Sequence, residues 1–417
     1  MNLLKNSSIY LISNILNAAI PFLLLPILTR YLTVEEYGQV AMFQMLLSGL
    51  ATFIGLNTIG AATRKYYDDT SLDALGIFNG ACIHLLIISS IICLFFSFFM
   101  GEQLSYFLSI PIKWIYIAIF ISILTYIINF LLGQWQIRNE AKKFGILQVS
   151  NSIVNMLLSL IFVVALNNGA DGRINAQLIT LVIVSIFSIT ILYHKSLIKL
   201  FRFDFKKIKE AALYGVPLIP HHIGIFCISA IDRFFINQDL GLTDAGIYMV
   251  AVQLSSSLAI LFDAINKAFV PWLFSKLKRN EYVEKIKIVK YTYIYFIILI
   301  FISLLAFIIG PIIFNYIAGD KYRTGATLIG WLCLGQIFGG MYLMVTNYIF
   351  YSKKTGKLAL TTITTGIINI FMLIVFIPFF GLIGAAYAFA ISKLCQFVFT
   401  WIISYNSVKM PWFKKEI

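Results

Sequence analysis

Charge is what this sequence has least of. Only 12% of its 417 residues are charged and 60% are apolar, whereas soluble domains are nearer a quarter charged and half apolar. No soluble fold covers that much apolar surface, so a soluble enzyme is excluded and the bilayer must be the solvent. Cysteine is scarce and odd in number. Cys82, Cys93, Cys227, Cys333 and Cys395 all lie in apolar runs, without CxxC or Cys/His metal spacing, and read as small buried hydrophobes. The chain has no P-loop, HExxH, GxSxG or dinucleotide motif, so no catalytic constellation, metal or cofactor is expected. A cleavable signal peptide is not evident, because the first apolar run is too long and lacks a small-residue cleavage site.

What is present is a series of long apolar runs. Twelve can be drawn, at about 7–28, 39–61, 76–99, 114–134, 144–166, 173–194, 212–236, 244–268, 290–311, 325–349, 358–379 and 381–404. A spanning helix needs about 20 apolar residues. These runs are too long for strands and do not alternate, so the expected fold is an all-α integral membrane protein with twelve spans. Twelve spans leave only short loops and no room for a soluble catalytic domain.

The net charge of +14 would suggest nucleic acid in a soluble protein. Here it reads as the positive-inside bias, with no nucleic-acid partner. If the N-terminus is cytoplasmic, the inner segments hold 24 of the 32 Lys and Arg, from Lys5 through Lys353 and Lys354 to Lys414 and Lys415. The outer segments hold Arg30, Lys113, Arg173, Lys321 and Arg323. The expected topology is therefore N-in, C-in with an even number of spans. The segment 195–211, KSLIKLFRFDFKKIKEA, mixes bulky apolar residues with Lys and Arg. It reads as an amphipathic helix on the inner surface, an interfacial linker between six-helix bundles at 1–194 and 212–417. A shift of 208 residues lays Glu36 on Asp244, Gly38 on Gly246 and Ser48 on Ser256, a pattern of parallel repeats. Chance similarity between two apolar helices is the other reading.

Polar groups inside the spans are costly and therefore informative. A charge at the bilayer centre costs about 2.5–3.5 kcal/mol on insertion scales. Lys393 lies near the middle of the last span, about 12 residues from either end at 1.5 Å each, too deep to snorkel. Asp263 and Lys267 are four apart and share a helix face, either as a structural ion pair or as a substrate group. Asp232 and Arg233 lie near the outer end of span seven, where Arg233 could snorkel. His221 and His222 follow Pro217 and Pro220, which predict a kinked helix. The imidazoles either satisfy carbonyls freed by the kink or carry protons. Asn14 and Asn17 in span one, and Gln148, Asn151 and Asn155 in span five, form polar stripes. These suit a hydrated cavity or hydrogen bonds between helices. A cationic, hydrated interior fits an anionic, phosphate-bearing headgroup.

Three stretches carry a resemblance: LTRYLTVEEYGQVAMFQ (28–44), with Thr-Arg, an acidic turn and Tyr-Gly; AIDRFFINQDLGLTDAGIYMVAVQL (230–254), with Asp-Arg and Gly-x-Tyr; and KAFVPWLF (267–274). They resemble the polysaccharide transport family, the flippases of lipid-linked oligosaccharides. The resemblance implies a fold like that of multidrug and toxin extrusion (MATE) transporters, two six-helix bundles around a cavity open alternately to each side. It implies undecaprenyl-diphosphate-linked oligosaccharide of the O-antigen or capsule type as substrate. It also implies the bacterial inner membrane as location, membrane lipid as surroundings, and polymerase and chain-length proteins as associates. Arg30, Asp232, Arg233 and Lys267 sit in the matching motifs. On this reading Lys393, Lys267, Arg233 and Arg30 grip the diphosphate. Asp263, Asp232, His221 and His222 are candidates for ion coupling. Asn14, Asn17, Gln148, Asn151 and Asn155 face the sugars. The rivals are a multidrug exporter of the same fold and, from another class, a membrane O-antigen polymerase. A polymerase would need a larger outer segment than the dozen residues available here.

Overall fold

The computed structural model describes residues 2–68, 71–352 and 356–413. Lys353, Lys354, Lys414 and Lys415, which enter the orientation argument, lie outside the described residues. Fifteen α-helices run in order, and no strand occurs among the described residues. Eleven are long and apolar enough to cross a membrane, or twelve crossings if one bent helix pair counts as a span. The expected all-α membrane architecture is thus present.

Contacts divide the chain into two units, 1–223 and 224–417. The first contains α1 (Asn2–Tyr31), α2 (Val34–Phe53), α3 (Thr58–Asp68), α4 (Leu72–Leu108), α5 (Ile112–Ile137), α6 (Ala141–Ser159), α7 (Gly169–His194) and α8 (Phe205–Gly215). α5 is its most buried span, packed on α2, α4 and α7 through residues such as Trp114 and Phe130. α9 (Ile219–Ser229) crosses the division. The second unit continues with α10 (Asp232–Asp239), α11 (Leu242–Arg279), α12 (Tyr282–Ala318), α13 (Ile329–Tyr351), α14 (Gly356–Phe380) and α15 (Leu382–Ser407). There α13 is the central helix, packed on α11, α12 and α15 around Phe262, Leu299, Ile337 and Phe397. The lipid-facing surface is apolar. On α12, Ile294, Ile297, Phe301, Leu304 and Ile308 are exposed at helical spacing, a stripe that only a bilayer covers without penalty.

Three departures from straight helices shape the sites. The second span breaks at Gly55, Leu56 and Asn57, three successive residues with positive φ of 77°, 48° and 56°, and α2 meets α3 at 41°. Non-glycine residues avoid this region, so the break must be held from outside. The Gly55 amide donates to Ser89 Oγ at 2.9 Å, and Thr58 Oγ1 donates to the Gly55 carbonyl at 2.6 Å. Tyr126 completes the chain through its hydroxyl, 2.6 Å from Thr58 Oγ1. The second departure is at Pro217 and Pro220, where a 3₁₀ turn, Val216–Leu218, separates α8 from α9. This is the break that the proline spacing predicts. The third is a π-helical turn, Leu160–Ala165, that closes α6.

Two expectations need correction. The amphipathic segment is helical only from Phe205, capped by Asp204, whose carboxylate accepts the Lys206 and Lys207 amides. Residues 195–204 are irregular because their backbone finds partners on α4 instead. The Lys199 amide donates to the Gly76 carbonyl at 2.9 Å, and Asn79 Nδ2 to the Leu197 carbonyl at 2.8 Å. His84 Nε2 on α4 also meets the Leu200 carbonyl at 2.8 Å. Lys199 and Arg202 both reach Asp73. Span seven also ends earlier than expected. The helix stops at Ser229, and Asp232 and Arg233 begin the separate short helix α10.

Candidate functional site

In the first unit, the amides on α1 and α6 find each other. Gln148 Nε2 donates to Asn14 Oδ1 at 3.1 Å, and the Ser152 hydroxyl bonds to Asn17 Oδ1. Gly145 permits this approach, since a Cβ there would lie 2.3 Å from Ser13 Oγ. Asn155 Oδ1 accepts Arg173 Nη1 at 2.9 Å, and Ser159 Oγ takes the same guanidinium at 3.0 Å. Asn151 Oδ1 is buried without a partner. Arg173 was missed by the sequence reading, because hydropathy set it at the rim of span six. It lies one turn into α7, beside the π-helical turn, and forms no ion pair with a carboxylate among the described residues. Arg30 is exposed in the last turn of α1.

His221 and His222 follow the 3₁₀ turn, both half-buried, with ring centroids 5.7 Å apart. Their neighbouring segment in the second unit carries a buried network. Asp232 Oδ1 accepts the Arg233 amide at 2.9 Å and Arg233 Nη1 at 3.1 Å, while Oδ2 accepts the Tyr248 hydroxyl at 2.8 Å. Arg233 Nη1 also donates to the Ser229 carbonyl, the last of α9. The side chains of Asp232 and Arg233 are 2% and 9% exposed, so both charges turn inward upon each other. Asp263 and Lys267 form an i,i+4 pair at 2.6 Å, each about half exposed at 50% and 51%. Beside them Asn347 Nδ2 donates to Asn266 Oδ1 at 2.7 Å.

Lys393 stands apart from these pairs. It is half-buried near the middle of α15, 3.4 Å from Gln396 Oε1 and 5.7 Å from the Phe389 ring centroid. No carboxylate pairs with it among the described residues. Helical spacing sets Lys393, Phe389 and Gln396 on one face of α15. The opposite face, with Tyr387, Ala390, Ile391 and Leu394, lines an apolar groove of about 490 Å³ that also holds Trp331 and Phe380. Among the described residues, Arg173 and Lys393 are thus cations that bond to neutral groups and pair with no carboxylate. Among the described residues no group of three or more His, Cys, Asp or Glu is placed to hold a metal.

Comparison with known proteins decides the affiliation. The family described as polysaccharide biosynthesis protein matches residues 3–278. The chain belongs to that family. A protein of the Lsg locus of Haemophilus influenzae is 28% identical over 401 residues, covering 92% of this chain and 96% of the relative. The capsular polysaccharide biosynthesis protein CapF of Staphylococcus aureus is 25% identical over 410 residues, covering 95% of this chain and 98% of its own length. Solved structures supply the fold. A multidrug resistance MATE family transporter of the MOP superfamily matches with a TM-score of 0.73 at 15% identity, covering 96% of this chain and 94% of that one. A Vibrio cholerae MATE transporter matches with a TM-score of 0.64 at 13% identity, over 98% and 97%. Family and fold together make this a multi-pass membrane protein of a polysaccharide biosynthesis family, with the fold seen in MATE transporters. The structure also shows what the polysaccharide-family motifs do. The acidic turn is a capping box, with Thr33 and Glu36 exchanging bonds of 2.8 and 3.1 Å at the start of α2. The Asp-Arg and Gly-x-Tyr elements meet as the Asp232–Arg233–Tyr248 network.

Proposed function

We propose that this protein carries undecaprenyl-diphosphate-linked oligosaccharide, of O-antigen or capsular type, from the inner to the outer leaflet of a bacterial cytoplasmic membrane. The observation that carries the reading is Lys393, a cation inside a spanning helix with only neutral partners. A lone intramembrane cation is costly and needs an anionic or aqueous counterpart, and a diphosphate supplies one without a bond being made or broken. Arg173 offers a second cation held by amide and hydroxyl groups. Lys267, charge-paired with Asp263, is a further cation of the second unit. The halves 1–194 and 212–417, joined by the 195–211 linker on the cytoplasmic side, alternate access with both termini inside. Asp263, His221 and His222 are the groups through which ion entry would couple.

Deleting the gene in its native host tests this. The expected result is loss of surface glycan, with lipid-linked repeat units retained on the cytoplasmic side of the inner membrane. Unchanged glycan with raised drug sensitivity would replace the reading with a multidrug exporter. Single units at the surface without long chains would indicate a polymerase.

A further inference from the structure

The break in the second span opens onto a cavity. A space of about 350 Å³ lies within the first unit between α2, α5 and α7, in the size range of ligand sites. Its polar lining is Gln44, Ser48, Ser122, Thr125, Tyr126, Asn129 and Gln177; the rest is apolar and none of it is charged. Gln44 Nε2 donates to Gln177 Oε1 at 2.9 Å. Each amide has a second polar group, so the pair leaves one carbonyl and one NH₂ for a ligand, whichever way the two are flipped. The Ser122 hydroxyl donates to the Ala118 carbonyl at 2.8 Å and keeps its acceptor positions. Asn129 is exposed, and neither it nor Thr125 bonds to another described residue. Tyr126 forms a wall, its hydroxyl committed to Thr58 and its ring pressed on Gly55.

This chemistry selects a ligand. Neutral donors and acceptors on a largely apolar surface beside an aromatic ring match hydroxyl-rich, uncharged groups. With no cation it offers nothing to a phosphate, and with no carboxylate nothing to an organic cation. The three left-handed residues that border it, Gly55 to Asn57, are a strained conformation held by Ser89, Thr58 and Tyr126. Strain persists where the surroundings over-determine it, and such places cluster at ligand sites. Transporters likewise place binding sites at discontinuous helices. We infer that the cavity at the break of the second span is a carbohydrate subsite, which takes an uncharged sugar residue of the transported glycolipid through Gln44, Gln177 and Asn129. The subsite rests on the flippase reading for its ligand, and its lining includes neither Lys393 nor Arg173.

The test uses the full-length protein in nanodiscs and two probes: undecaprenyl diphosphate alone, and the lipid-linked oligosaccharide extracted from the host's own membranes. Binding is read by native mass spectrometry. Gln44→Leu, Gln177→Leu and Asn129→Leu are expected to weaken the glycosylated probe about tenfold each, ~1.4 kcal/mol, and to leave the bare diphosphate unchanged. Lys393→Met is expected to weaken both probes. If the Leu variants bind the glycosylated probe as the wild type does, or lose both probes equally, the subsite is wrong while the flippase reading stands. If the wild type binds neither probe, the flippase reading fails and the subsite with it. Asn129→Leu keeps the test sharp should the Gln44–Gln177 pair be needed for folding, since its side chain is exposed and holds nothing in place.

Discussion

Removing Asp232 separates a structural clamp from a transport charge. In Asp232→Ala the Arg233 guanidinium stays buried, with only the Ser229 carbonyl as acceptor, and the Tyr248 hydroxyl loses its acceptor too. Breaking a buried pair from one side costs about 3–5 kcal/mol. For a unit of this size that is a fall in Tm on the order of 10 °C. Arg233→Met should cost less, because the Asp232 carboxylate keeps the Tyr248 hydroxyl and the Arg233 amide as donors. In the double variant no charge remains, and the main residual cost is the unsatisfied Tyr248 hydroxyl, about 1–3 kcal/mol. The double variant is therefore expected to be more stable than Asp232→Ala alone. Thermal unfolding of the detergent-solubilised protein measures the cycle, and surface glycan in the host measures export. A fall of under about 1 kcal/mol for Asp232→Ala would refute the burial argument. So would a double variant as unstable as the two singles summed. A stable double variant with no export would move these charges from the clamp to transport itself.

Three further outcomes are expected. Gly55→Ala should destabilise by about 2–4 kcal/mol, because its Cβ would lie 2.1 Å from the Tyr126 ring at a φ of 77°. Gly241→Ala, with a φ of 94° and open space around it, should cost only the conformational part, about 1–2 kcal/mol; equal unfolding shifts for the two would show that the Tyr126 contact does not matter. Lys393→Met should leave the unfolding temperature unchanged or raised, since it removes a charge with no ionic partner, and should abolish surface glycan; normal glycan would end its role as a phosphate grip. Lys267→Gln should change stability by less than about 0.5 kcal/mol, because an i,i+4 pair half open to its surroundings is largely screened, and a larger loss in a urea titration would mark the pair as structural.

The spans were legible because the bilayer imposes one requirement, about 20 apolar residues, that hydropathy reads directly. Each of the twelve apolar runs has its counterpart, the second as the bent pair α2 and α3. The proline break in span seven was legible for a local reason, since Pro217 and Pro220 remove amide donors. The bend in span two was not, because only one of its three left-handed residues, Gly55, is a glycine, and Leu56 and Asn57 take the other two positions. Nor were the side-chain partners. Gln44 and Gln177 are 133 residues apart and Asn14 and Gln148 are 134 apart, separations that helical periodicity cannot relate. A lone glutamine in an apolar helix looks the same whether it joins two helices or faces a cavity. Arg173 was hidden by a boundary: α7 begins at Gly169, four residues before the expected start of the span.

The shift of 208 residues also sets the sequences of the two units side by side. The shift of 208 residues lays Val34 on Leu242 and Thr33 on Gly241, which are the first residues and the N-caps of α2 and α11. Glu36 and Asp244 both fall in the first turn, where a carboxylate favours the helix dipole. The register holds up to the end of α2. Ile54, the last residue before the break, then corresponds to Phe262, around which α11 runs on unbroken to Arg279. Phe262 is 1% exposed and fills the space above Gly340, where even a Cβ would lie 2.7 Å from its ring. In the first unit the same register gives way to three left-handed residues and a cavity lined by amides. The second unit thus uses the position for packing. The other leaves it open and bears the backbone strain, and that cost has a reason if a ligand occupies the space.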